Sequence, residues 1–264
     1  MPWISREVIV NKSTSYGHEI PNNIEYAQLR DTWRVNMGES QALRNQALAM
    51  TVSSNEFNYG YQWVWCGIPI IRHPDDIVLQ QEIMWELLPS FVIETGVARG
   101  GSVVLSSSLM SLFGHGGKVL GLDNQILPHA IDALNPWTSD GRIELLECDS
   151  SSGLAAERLG SFISGHSKPV LLVLDSDHSH RHVLAELNAL APLLPVGSIV
   201  MVADTIIEEM PPEYYPNRPW GRGSNPLTAT QEFLGNNSDF KLDSRWTRRS
   251  LMGEFRDGIL IKHK

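Results

Sequence analysis

Two aspartates and a histidine carry the densest chemistry in this chain. The run VLLVLDSDHSHRH, residues 170–182, ends an apolar stretch on Asp175, and SIVMVADTIIEE, residues 198–209, ends another on Asp204. If the two stretches are neighbouring buried strands, their carboxylates converge outside the carboxyl ends of the sheet, where open α/β folds bind ligands. Carboxylates a few ångströms apart repel unless a proton or cation lies between them, and hard oxygen ligands select Mg2+ or a similar divalent ion. Glu208 and Glu209 follow Asp204, either as further ligands or as solvated carboxylates. His178 is expected on the first turn of the helix after Asp175, facing the same mouth. With a reference pKa near ~6.5, a histidine there suits proton abstraction at neutral pH. His180 and His182 are expected at the surface or behind the site.

A second constellation is FVIETGVARGGS, residues 91–102: a buried strand ending in Glu94, a glycine-rich turn, then a helix starting near Gly100. Gly96, Gly100 and Gly101 let backbone approach a ligand, and the helix start offers unpaired N–H groups to a nucleotide or an amino-acid carboxylate. The spacing is not GxGxxG and no P-loop lysine follows, which weakens dinucleotide and nucleoside-triphosphate readings. Asp123, closing KVLGLD, stands where the second strand of such a fold presents an acid to ribose hydroxyls, or where an aspartate caps a helix. Asp149 and Ser150, in ECDSSS, follow a third strand, where an adenine could be gripped.

The elements that must position these residues follow from hydrophobic patterning. Short continuous apolar runs at 91–93, 118–122, 142–147, 170–174, 198–203 and 258–262 suit strands buried on both faces of a sheet. Helical patterns at 100–113, 152–163 and 179–190 alternate with them, the last with Val183, Leu184, Leu187 and Leu190 on one stripe. This rhythm predicts an α/β, Rossmann-like doubly wound sheet with helices on both faces. A helix from residue 75, capped by Asp75 or Asp76 and ended by Pro89, opens the main domain, assigned to 75–264. Residues 1–74 form an N-terminal extension, with a helix over 23–50 broken near Gly38 and an aromatic lead-in. The proline-rich stretch 205–225 is read as a lid rather than as a plain surface loop, carrying Tyr214, Tyr215 and Trp220.

The 264 residues, 42% hydrophobic and 19% charged, suit one globular core with an added helical segment. A formal net charge of −9 argues against nucleic acid or an anionic membrane as partner. Cys66 and Cys148 have no metal or disulfide spacing, and neither a signal peptide nor a membrane span is visible, so a cytoplasmic protein is expected.

Together these motifs resemble the cephalosporin hydroxylase family, which includes metal-dependent sugar O-methyltransferases of antibiotic pathways. The resemblance runs from about residue 63 to 234, through WCGIPIIRHPDD, IETGVARGGS, LDSDHSH, LAELNALAPLLPVGSIVMVADTIIEEMP and RPWGRGSNP. It implies a class I methyltransferase fold whose seven-stranded sheet ends in an antiparallel strand, with S-adenosylmethionine as cofactor. It further implies cofactor contacts at Glu94, Gly96, Ser102, Asp123, Asp149 and Ser150, metal ligands at Asp175 and Asp204, and His178 as general base. Sugar methyltransferases of this kind carry an acidic residue just before the second aspartate; here it is Ala203, so Glu208, water or substrate would supply the third ligand. The expected acceptor is a small-molecule glycoside, and the expected assembly a homo-oligomer. A non-haem iron oxygenase is the rival activity, but the HxD from His73 to Asp75 lies before the sheet and contains Pro74. A nicotinamide dehydrogenase and a non-catalytic partner protein on the same fold are the remaining alternatives.

Overall fold

The computed structural model describes residues 22–247 and 249–264; the expectation about the first residues of the chain lies outside them. Two helices lead in, α1 (Asn23–Glu39) and α2 (Gln41–Asn55), followed by a two-stranded hairpin of β1 (Val64–Trp65) and β2 (Ile68–Pro69). Then come α3 (Pro74–Leu87), β3 (Phe91–Thr95), α4 (Gly101–Leu112), β4 (Lys118–Asp123), α5 (Pro128–Thr138), β5 (Ile143–Glu147) and α6 (Gly153–Phe162). The chain continues through β6 (Leu171–Leu174), α7 (His180–Leu190), β7 (Ile199–Val202), α8 (Pro226–Asn236), β8 (Phe240–Leu242) and β9 (Ile259–Lys262).

The main sheet has seven strands in the order β5-β4-β3-β6-β7-β9-β8. Pairing is parallel from β5 to β7, and β9 runs antiparallel to both β7 and β8. Successive side chains of a strand point to opposite faces. Accordingly Val92, Val119, Leu171, Val173, Ile199, Met201 and Ile259 enter one core, with Leu79, Ile83 and Met84 of α3 and Val103, Val104 and Leu109 of α4. Ile93, Leu120, Leu122, Leu172, Val200 and Leu260 enter the other, with Leu159 of α6, Leu187 of α7 and Phe233 of α8. Helices on both faces explain why the strands read as unbroken apolar runs. The hairpin joins the first core through Ile68 and Ile70, and Trp65 Nε1 donates to Ser108 Oγ at 2.7 Å.

Local chemistry shifts some boundaries. The first helical region breaks at Ser40 rather than Gly38, because Ser40 ends α1 and its hydroxyl accepts the Leu43 N–H as cap of α2. At α3 the cap is His73, without a side-chain hydrogen bond. Asp75 and Asp76, expected as caps, instead accept backbone N–H groups of Leu251, Met252 and Glu254 and hold the C-terminal segment against α3. Three elements had no clear pattern: α5, α8 and β8, the last a three-residue edge strand with two exposed positions.

The close approach of β3 and β6 at their carboxyl ends depends on one glycine. Gly96 has φ +87°, and a Cβ there would lie 1.9 Å from the Asp175 carbonyl oxygen. Gly114→Ala, with φ +78° and open space around it, would suffer backbone strain alone. We therefore expect Gly96→Ala to lose roughly 1–3 kcal/mol more than Gly114→Ala, since overpacking adds to the strain. Thermal melts of both variants check this; equal losses would mean that the close approach of β3 and β6 is not needed.

Candidate active site

Because β6 and β7 are parallel neighbours in register, the residues just beyond them emerge side by side. Asp175 is fixed by its N–H donating to Thr95 O at 3.0 Å, and the Ala203 N–H donates to Leu174 O at 2.9 Å. Asp204 then adopts φ 57°, a left-handed turn that starts a 3-10 helix, Thr205–Glu209. His178 lies in the loop before α7 rather than on its first turn, because Ser179 caps that helix. One ligand atom each of Asp175, His178 and Asp204 lies within 4.8 Å of the other two.

His178 Nδ1 sits 3.1 Å from Asp204 Oδ2, and its ring meets Trp220 edge-to-face at 4.9 Å between centroids. Burial pulls the imidazole pKa down, but Asp204, then Asp175, Glu254 and Asp177, outweigh it and hold it above its ordinary value. Burial pushes the Asp175 carboxyl up to about 7, against Arg72 and with help from Asp204; His178 lowers it and Glu94 raises it. A site that lifts a carboxyl so far favours a proton or a cation over a bare charge. The two carboxylates at this spacing fit a divalent ion, with the His178 imidazole left beside it.

Behind Asp175 sits a residue that patterning missed. The Arg72 side chain is 1% exposed, and its Nη2 lies 3.3 Å from both Glu94 Oε1 and Asp175 Oδ2. Its Nη1 donates to Gln80 Oε1, and its guanidinium stands over the Phe255 ring at 5.3 Å. Gln80 in turn donates to Ser106 Oγ at 2.8 Å. A buried arginine between carboxylates from two strands is a tertiary event; its only linear sign is a basic residue at the end of an apolar run, IPIIR.

Across the cleft from the triad, Gly96 forms the turn after β3. Asp123 Oδ2 accepts from the N–H groups of Val97 and Ala98 at 2.8 and 3.1 Å, and Oδ1 from Gln125 N–H at 3.0 Å. Asp123 thus braces the turn, with lone pairs left over on both oxygens. Glu94 is fully buried: burial raises its pKa, while Arg72 and a hydrogen bond with Ser102 oppose this, and Oε2 has no partner. Asp149 Oδ1 accepts the N–H and hydroxyl of Ser151 at 2.9 and 2.7 Å. Ser150 is buried, with its hydroxyl 3.1 Å from His182 Nε2. Glu94, Gly96, Ser102 and Asp123 therefore form one connected unit, and Asp149 and Ser150 stand past the end of β5.

The acidic residues after Asp204 go elsewhere. Glu208 is not brought to the triad: its Oε2 accepts from Gly223 N–H at 2.8 Å and Asn225 Nδ2 at 2.5 Å, closing the 205–225 loop on itself. Glu209 pairs with Arg44 of α2 at 2.7 Å and Arg256 at 2.8 Å. His180 bonds Thr228 and Glu232 of α8, away from the mouth. One loop aromatic reaches the triad. Trp220 touches His178, and the Tyr215 hydroxyl pKa is raised by burial and then by Asp204. Glu254, from the C-terminal segment, faces the same carboxylates: its pKa is pushed well up by burial, then by Asp204 and Asp175. The sequence alone gave no reason to place it there.

Removing the buried cation leaves carboxylates unpaired, which typically costs about 3–5 kcal/mol. Arg72→Met should lose that much in a denaturant titration. A midpoint equal to wild type would show that Arg72 does not hold the two strand ends together.

Residues 57–263 match the model of the family described as Rhamnosyl O-methyltransferase/CmcI. A rhamnosyl O-methyltransferase of Mycobacterium tuberculosis is 31% identical over 201 residues, covering 75% of this chain and 78% of that protein. Its Mycobacterium leprae namesake is 34% identical over 147 residues, covering 56% and 62%. Among solved structures, CmcI with Mg and SAM aligns with a TM-score of 0.52 at 22% identity, covering 77% of this chain and 78% of that one. An apo structure of CmcI aligns at 0.54 and 21% identity, covering 77% of each chain. These two likenesses show the fold, with the same mostly parallel seven-stranded sheet. With the sequence match over most of its length, the chain belongs to the rhamnosyl O-methyltransferase/CmcI family and is an S-adenosylmethionine-dependent O-methyltransferase.

Proposed function

We propose that this enzyme methylates a hydroxyl of a deoxysugar on a glycosylated small molecule, with a divalent cation held by Asp175 and Asp204. The observation that carries this reading is the convergence of Asp175, His178 and Asp204 within 4.8 Å, beside the glycine-rich turn. The rhamnosyl activity named for the curated relatives supports a deoxysugar acceptor. Such an ion would neutralise the two carboxylates and lower the pKa of an acceptor hydroxyl bound to it. Mg2+ would suit these two carboxylates; the Ala203 side chain offers no ligand and Glu208 is bonded within the loop, so Asp175 and Asp204 are the residues that would hold it.

His178 acts as general base through Nε2, because Nδ1 faces Asp204 Oδ2 at 3.1 Å. Asp204 thereby fixes the tautomer and ring orientation, as second partners of catalytic histidines do. S-adenosylmethionine, held beside the glycine-rich turn by Glu94, Gly96, Ser102 and Asp123 and past β5 by Asp149 and Ser150, would supply the methyl group to the deprotonated acceptor oxygen and leave as the thioether. We read the 205–225 loop as a lid that excludes water and offers rings to a sugar face, a reading supported by the edge-to-face contact of Trp220 with the His178 imidazole. Holding donor and acceptor in attack geometry is worth on the order of 7–11 kcal/mol.

Loss of the base should reduce kcat by roughly 10²- to 10⁴-fold in His178→Ala while S-adenosylmethionine still binds. Full activity in that variant would remove His178 from the mechanism. Methyl transfer to rhamnosylated and other deoxysugar-bearing metabolites should stop with EDTA and return with Mg2+. Transfer insensitive to chelation would end the metal reading, and no transfer to any glycoside the acceptor reading.

A further inference from the structure

Among the described residues, a second group of metal-ligating side chains gathers outside the triad: His73, Asp76 and Glu254, with one atom of each within 4.8 Å of the others. His73 precedes α3 and Asp76 lies in its first turn. Glu254 arrives from the far end of the chain, where its N–H donates to Asp76 Oδ2 at 2.8 Å. Gly253 permits this crossing, since a Cβ on it would lie 2.1 Å from Asp76 Oδ1.

Hydrogen bonding leaves this cluster unfinished. His73 is 2% exposed, and neither ring nitrogen has a hydrogen-bond partner; Asp76 is fully buried and its Oδ1 has none. Glu254 Oε1 stands 3.5 Å from His73 Nδ1, an ion-pair distance rather than a hydrogen bond. Buried polar atoms are normally satisfied, and an unsatisfied imidazole beside two carboxylates is what a ligand set looks like without its ion. One imidazole nitrogen and two carboxylate oxygens, with a water reaching the ion past the partly exposed Glu254, suit a four-coordinate ion of the zinc class. Mg2+ keeps several waters and prefers oxygen throughout.

We propose that His73, Asp76 and Glu254 form a second, structural site for a zinc-class divalent ion, which clamps the C-terminal segment onto the start of α3. The clamp reaches the catalytic mouth through the backbone. Glu254 O accepts the hydroxyl of Thr205 at 2.9 Å, and Thr205 directly follows Asp204. Fixing Glu254 therefore fixes the turn that presents Asp204.

Cobalt binding to the metal-stripped full-length protein, followed by visible absorption and metal analysis, tests this. The wild type should take up about two equivalents, one at each site. The Asp175→Asn/Asp204→Asn double variant should keep about one, with its absorption band. His73→Gln should lose that equivalent and keep the one at the triad. Asp76→Asn, whose side-chain oxygen can still accept the Glu254 N–H, gives the same test if His73→Gln does not fold. No uptake by the folded double variant, or an unchanged count in both single variants, overturns the proposal. A wild type with one equivalent, lost in the double variant and kept in His73→Gln, removes this site and leaves the catalytic centre standing. One equivalent with the opposite pattern removes the catalytic metal and leaves this site.

Discussion

A guanidinium buried between two strand ends holds this structure's functional end together. Arg72 touches Glu94 at the end of β3 and Asp175 just past β6, and without it two carboxylates would face each other across a dry interface. Ionised groups in a protein interior are tolerable only when paired and hydrogen-bonded. Arg72 meets that condition through Glu94, Asp175 and Gln80, with the Phe255 ring against its guanidinium. The arrangement lets Asp175 stand at the mouth just past β6, a strand whose four residues are all apolar and buried.

From that anchor the rest of the site follows outward. Gly96 lets the turn after β3 pass against the Asp175 backbone, and Asp123 ties the same turn to the end of β4. The glycine-rich turn is thus tied to β4 and adjoins the acidic side through the Asp175 backbone. On the acidic side, Asp204 and His178 depend on strained or irregular backbone: a left-handed turn for one, a short loop before α7 for the other. Such conformations persist only where surroundings over-determine them. Here the surroundings are the hydroxyl of Thr205, the C-terminal segment it bonds, and Trp220 from the loop.

The C-terminal segment is therefore more than the closing strand of the sheet. Between β8 and β9 it crosses back to α3, where Asp75 and Asp76 bind its backbone and Arg256 reaches Glu209 beside the catalytic turn. Arg44 of α2 meets the same Glu209, so the lead-in helices also brace the loop that follows Asp204.

The sequence by itself determined the layered α/β fold, since apolar runs long enough to be buried on both faces require helices above and below a sheet. It also marked Asp175, Asp204 and His178, because an acid or imidazole immediately after such a run must emerge at the sheet's edge. The glycine-rich turn was legible for the same reason. What the chain's order could not reveal were contacts between segments far apart in it: Arg72 with Asp175, Glu254 with His73 and Asp76, Glu209 with Arg44 and Arg256. Glu208 shows the limit most clearly: its place beside Asp204 suggested a ligand, yet the loop's reversal brings Gly223 and Asn225 to it first. Periodicity reports which face of an element is buried; which charges meet there is decided only when the elements pack.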